Sequence, residues 1–147
     1  MHSSHPFEPA LFEAITEHIP DAVVFADCDG VIRFWNRGAE AVFGFAAQDV
    51  LGESLDVIVP ERLRAAHWAG FRRAIESGHA DHSNQVRTTR SLHKDGRKLY
   101  VDLSFGVVAD AAGRVEGSVA VGRDVSDRYL AEKALRERVA TLEKPAS

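Results

Sequence analysis

Leu99-Tyr100-Val101-Asp102-Leu103-Ser104-Phe105-Gly106-Val107 decides the fold class, because Leu99, Val101, Leu103, Phe105 and Val107 fall on every second position. A period of two places them on one face of a strand and predicts a sheet with one buried side. After the turn signal at Ala112-Gly113, Val119 and Val121 repeat the spacing. The period then changes across Gly122-Arg123-Asp124-Val125-Ser126-Asp127-Arg128. Beyond that junction Val125, Leu135, Val139 and Leu142 fit heptad a and d positions, with Arg128 and Glu132 as polar exceptions in the same register. The last strand thus runs into a helix able to pair with a second copy. Such a junction suits the transmission of strain better than the turnover of a substrate.

Working backwards, Lys94-Asp95-Gly96 turns this strand onto an earlier one over residues 84 to 92. Pro60 and Gly78 bracket a helix over residues 61 to 77. Asn36 is a good N-cap for a helix over residues 37 to 43 that Gly44 ends, and residues 48 to 51 make another helical turn. Residues 22 to 26 and 31 to 35 read as a hairpin about Asp27-Cys28-Asp29-Gly30. Phe7, Leu11, Phe12, Ile15 and Ile19 recur at helical spacing until Pro20 stops them. The order is helix, two strands, several helices, three antiparallel strands, helix. It predicts an α+β domain with a five-stranded antiparallel sheet and helices on one face, flanked by amphipathic terminal helices. The expected division is a flanking helix over residues 1–20, a core over 21–124 and a C-terminal signalling, coiled-coil helix over 125–147.

Composition narrows the function. A chain of 147 residues that is 45% hydrophobic can build one core, and a net charge of −4 argues against nucleic acid as the main partner. Nothing approaches the roughly 18 consecutive apolar residues of a membrane span, and Met1-His2-Ser3-Ser4-His5 lacks a signal-peptide core. The single Cys28 excludes an internal disulfide and fits a reducing compartment. The expectation is a cytoplasmic protein without membrane contact. Nor is an enzyme indicated, since no nucleophile–base pair, phosphate-cradling glycine loop or paired-carboxylate motif is present.

Four segments together resemble the PAS sensory domains: Phe34-Trp35-Asn36-Arg37-Gly38-Ala39-Glu40 with Phe43-Gly44, Val50-Leu51-Gly52, His93-Lys94-Asp95-Gly96, and Arg123-Asp124-Val125-Ser126. They stand in family order and spacing from about residue 12 to 128. The resemblance implies a PAS fold and a signal-sensing module, commonly a homodimer through its terminal helices, acting on an output or partner domain not seen in this chain.

His67 is the residue suited to chemistry. Leu63, His67, Gly70, Phe71 and Ala74 lie at i, i+4, i+7, i+8 and i+11, a mostly apolar stripe with Arg62, Arg64, Arg72 and Arg73 towards its flanks and far side. Gly70 costs the helix roughly 1 kcal/mol relative to alanine. Its place on that stripe asks for a reason, either a flat ligand or close packing on the sheet. A neutral imidazole in an apolar pocket is what a haem iron needs as its axial base. The segment Val59-Pro60-Glu61-Arg62-Leu63-Arg64-Ala65-Ala66-His67 also resembles the haem-ligating helix of oxygen-sensing phosphodiesterase PAS domains. That resemblance implies haem b on His67, with Leu63, Phe71 and Leu103 among the pocket residues. It sets Gln85 where the subgroup has a distal methionine ligand and Arg87 where it has an arginine that hydrogen-bonds the gas. Met1 is the only methionine, so a methionine-ligated state does not carry over. Strand parity opposes the distal assignment: with Val86 and Leu92 facing the core, Gln85 and Arg87 turn to the other face unless a bulge intervenes.

Smaller signals remain. His79-x-x-His82 has metal-compatible spacing but no third ligand, and His82 lies near the haem histidine of the rhizobial oxygen-sensor kinases. Cys28 sits in a hairpin turn, away from the helix motif through which photosensory flavin relatives present their cysteine. Trp35 and Trp68 read as packing. Asp124 can cap the last helix and pair with Arg128 across i, i+4, forming the joint of a signal relay. Two functions follow: a ligand-gated sensor, with haem and a diatomic gas as the leading case, or an interaction module with no bound cofactor whose work is dimerisation.

Overall fold

The computed structural model describes residues 8–80 and 85–143. Phe7, His82, Asn84 and Lys144-Pro145 lie outside them. The chain runs α1 (Pro9–His18), β1 (Ala22–Asp27), β2 (Ile32–Trp35), α2 (Arg37–Phe43) and α3 (Ala47–Val50). Two 3₁₀ turns follow, Leu55–Ile58 and Glu61–Leu63, then α4 (Arg64–Ser77), β3 (Arg87–Leu92), β4 (Lys98–Ala109), β5 (Val115–Asp124) and α5 (Ser126–Glu143). The five strands form one sheet in the order β2-β1-β5-β4-β3, every neighbouring pair antiparallel. The α+β architecture expected from the alternation is therefore present.

Asn36 welds the first half together. Its side chain is fully buried, and its Oδ1 accepts from the Val23 and Ala39 amides, both at 2.8 Å. Its Nδ2 donates to the carbonyls of Thr16 (2.8 Å), Ile19 (3.3 Å) and Asp21 (3.0 Å), tying the end of α1 to the hairpin. The cap read from the sequence is thus also a junction between three elements. Around it Ile32, Trp35, Phe43 and Val50 pack to exposures of 0–2%, with the Trp35 and Phe43 rings 5.3 Å apart.

Several expectations are corrected. The helix over residues 61–77 is broken at Leu63 into a 3₁₀ turn and α4, and at the break the Arg64 guanidinium turns back onto the carbonyls of Val59 (3.1 Å) and Asp56 (3.2 Å). Val119 and Val121 do not continue the Leu99–Val107 face. Register pairs them with Gly106 and Ser104, so they stand on the other side of the sheet, while Ala120 and Ser118 stand opposite Phe105 and Val107. The inward run on β4 is itself graded: Leu99, Val101 and Leu103 are buried, but Phe105 is 37% exposed. Tyr100, pointing outward, is buried instead by stacking on Tyr129 of α5 at 3.9 Å.

Candidate functional site

Small inward residues hollow out the second half. Ala22, Val24 and Ala26 of β1 pair with Gly122, Ala120 and Ser118 of β5, leaving a low floor beside Leu103 and Phe105 of β4. α4 roofs it with the stripe legible in the sequence, and Leu63, His67, Gly70, Phe71 and Ala74 all line the space, joined by Arg73. The resulting chamber measures about 670 Å³, within the roughly 300–1,000 Å³ of ligand pockets. Among the described residues its lining holds no carboxylate; its ionisable residues are His67, Arg73, Arg87 and Arg90, the last with its guanidinium over the outward Tyr100 ring.

His67 is the imidazole of this lining. Its Nδ1 is buried and has no hydrogen-bond partner, a condition that costs about 1–3 kcal/mol unless something fills it. Burial drives the imidazole pKa below its ordinary 6.5, against an upward pull from the Asp56 carboxylate. The ring is therefore neutral at physiological pH, with lone-pair chemistry available. Gly70 points the same way. A Cβ built there meets only the Arg73 Nη2, at 3.6 Å, so packing against the sheet does not account for the glycine. It opens the roof onto the chamber.

Arg87 overturns the parity argument. It pairs with Leu103 in the β3–β4 register, as Thr89 does with Val101 and Ser91 with Leu99. Paired residues share a face, so Arg87 stands on the chamber side and lines it. The error lay in its premise: Val86 is 66% exposed, and the buried residue of the strand is Ser91. Gln85, by contrast, precedes β3, is exposed and does not line the chamber. The structure gathers His67, Leu63, Phe71, Leu103 and Arg87, and leaves Gln85 out.

The expected pair of Asp124 with Arg128 is replaced by other contacts. Asp124 Oδ1 accepts from the Ser126 amide at 2.8 Å and from the Ser126 hydroxyl, so it does hold the first turn of α5. Arg128 does not pair with it. Its Nη2 lies 2.8 Å from Asp102 Oδ2 on β4, and its Nε 3.8 Å from Glu132. Asp102 also accepts from the Thr88 hydroxyl, and these two partners, Thr88 first, hold its carboxyl below the usual range. Thr88 follows Arg87, so adjacent residues of β3 address the chamber on one face and α5 on the other. No sequence spacing betrays a contact between residues 26 apart.

His79 is exposed and bonded to Ser77, and no group of three metal-binding side chains occurs among the described residues. Cys28 is exposed in the β1–β2 turn, its thiol donating to the Val115 carbonyl at 3.2 Å, and it does not line the chamber. A flavin–cysteine adduct therefore has no residue to form on. Trp35 is core, its indole donating to the Phe45 carbonyl at 3.0 Å. No helix among the described residues is long and apolar enough to cross a membrane.

A chamber under a helix, on a sheet ordered β2-β1-β5-β4-β3, agrees with the family profile described as PAS fold, which matches residues 10–125. This chain belongs to the PAS family. PAS domains are typically sensory modules of signal transduction. Over 133 residues the chain is 28% identical to the oxygen sensor protein DosP of Escherichia coli (strain K12), covering 90% of this chain and 16% of that protein. Over 93 residues it is 26% identical to the sensor protein FixL of Bradyrhizobium diazoefficiens, covering 63% of this chain and 18% of that protein. The chain thus spans less than a fifth of these relatives. Among solved structures, an RNA-binding light-oxygen-voltage receptor superposes with a TM-score of 0.71 at 22% identity, over 97% of this chain and 40% of that one. That likeness is one of fold.

Proposed function

We propose that this PAS domain is a cofactor-loaded sensor: haem b binds in the chamber with His67 as axial base, a diatomic gas is the signal, and the terminal helices of a homodimer carry the response to an output domain. The observation that carries this reading is the buried Nδ1 of His67, partnerless among the described residues, in a chamber to which those residues bring no carboxylate. The residues present fit the group. Phe71, Leu63 and Leu103 offer apolar walls, Gly70 leaves room against the roof, and Arg73 and Arg87 can meet anionic substituents. Haem supplies an iron centre that takes up small gases. His67 offers the axial nitrogen, Arg87 can donate hydrogen bonds from the sheet side, and Leu63, Phe71 and Leu103 supply apolar surface about the group. One relative named as an oxygen sensor supports this signal, and a second named as a sensor protein supports the sensory class.

The response leaves through the root of α5. Arg87 and Thr88 link chamber to Asp102, Asp102 holds Arg128, and Asp124 fixes the first turn. Replacing Asp124 with alanine should leave the domain folded yet uncouple ligand state from a fused output. A full-amplitude response in that variant would refute the joint. Dimerisation is supported by apolar side chains left uncovered in one copy: Leu11, Phe12 and Ile15 on α1, and Leu135, Val139 and Leu142 on α5, at 42–77% exposure. Those same faces favour the second reading, an interaction module without a cofactor. Expression with ample haem separates the two. The sensor requires a Soret band that is lost in His67→Ala; a colourless protein leaves the interaction module.

A further inference from the structure

Trp68, next to the proposed ligand, stands outside the chamber, yet its side chain ties α4 to two other segments. Its indole Nε1 donates to Asp56 Oδ1 at 2.8 Å. Its six-membered ring lies so close to Gly30 in the β1–β2 turn that a Cβ there would stand 2.2 Å away. On its other side it meets the His67 ring edge-on at 4.7 Å and the Phe71 ring at 5.4 Å. No residue of α4 is fully buried and the helix has no side-chain N-cap; Arg64, bonded to the Val59 and Asp56 carbonyls, holds its start, and Trp68 is the anchor at the level of His67.

We infer that Trp68 is a positioning residue: docked against Gly30 and bonded to Asp56, it sets the rotation of α4 and so aims His67 into the chamber. The inference rests on the haem reading for its consequence and on α4 alone for its geometry. Turning an α-helix by one residue moves a side chain through about 100°, which would carry the imidazole from chamber to solvent. Gly30 is required on the other side of the contact. Its φ of +78° suits the turn, and its missing side chain leaves the surface on which the indole lies. The group that orients a metal ligand without touching the metal typically governs affinity by about 10- to 100-fold.

The test uses the 147-residue chain with and without haem. In the haem-free protein, amide exchange across α4 should quicken about tenfold in Trp68→Ala, while β1, β2 and α2 keep their protection. Trp68→Phe, which keeps a ring over Gly30 but loses the N–H, should fall between. Asp56→Asn retains an acceptor for the indole and loses only the half-exposed ion pair with Arg64 at 3.8 Å, so it should keep most of the protection that Asp56→Ala loses. With haem, Trp68→Ala should bind about 10- to 100-fold more weakly and show a broadened iron–imidazole stretch in resonance Raman spectra. Unchanged α4 exchange in Trp68→Phe and Asp56→Ala overturns the anchor, even where Trp68→Ala fails to fold. A colourless wild type overturns the haem reading instead and leaves the exchange result to decide the anchor.

Discussion

Around Ile32, Trp35, Phe43 and Val50 the domain is close-packed, with exposures of 0–2%, whereas α4 has not one buried residue in fourteen. Both regions press on the same sheet. The difference lies in what the sheet presents to each: large side chains and the Asn36 junction on one side, and alanine, serine and glycine beneath α4 on the other. One half stores the stability and the other keeps a space open above it. A sensor needs that division, because a chamber filled by its own side chains has no equilibrium for a ligand to shift.

The comparison breaks most sharply at Asn36 and Ile32. Asn36→Ala should cost about 3 kcal/mol or more, since each buried group left unpaired forfeits roughly 1–3 kcal/mol. Ile32→Ala should cost about 2–5 kcal/mol. Phe71→Ala on α4, half-buried, should cost under about 1 kcal/mol. Urea titrations of the three variants measure this directly, and equal losses in both halves would erase the distinction drawn here.

Gly70→Ala sharpens it with the opposite sign. An alanine there has room and a better helix propensity, so the cofactor-free protein should gain up to about 1 kcal/mol, while haem affinity falls because the methyl enters the chamber. A gain in both quantities would mean that Gly70 serves no ligand.

His67 gives a pH signature. The unfolded chain takes up a proton near the ordinary pKa of 6.5, and the folded one only at lower pH because of burial. Within that window the unfolded state binds more protons, so stability falls as the pH drops below about 6.5 and levels off beneath the folded pKa. His67→Leu should flatten that part of the profile below about pH 6.5. An identical slope in both proteins would place the imidazole in water.

The smallest effect belongs to Asp102. Arg128 is more than half exposed, so Asp102→Ala should cost no more than about 1 kcal/mol of global stability. Amide exchange at the first turn of α5 should nonetheless rise, since the bridge is what ties that turn to β4.

Local signals carried much of the architecture into the open. Asn36 and Gly44 mark both ends of α2, with side-chain and left-handed caps as expected. The i, i+4, i+7, i+8, i+11 stripe on α4 picked out the residues of the roof. These are short-range properties, set by the helix repeat and by the conformations that individual residues favour. The strand pairs themselves were legible from their turns; what failed was the assignment of particular residues to faces and partners. Val119 and Val121 looked like inward residues and are not, Arg87 looked outward and is not, and Arg128 finds its carboxylate on another strand rather than one turn away. Alternation says that a strand has two faces; only the pairing of one strand with its neighbour says which face meets the core, and that pairing is an energy of the whole sheet.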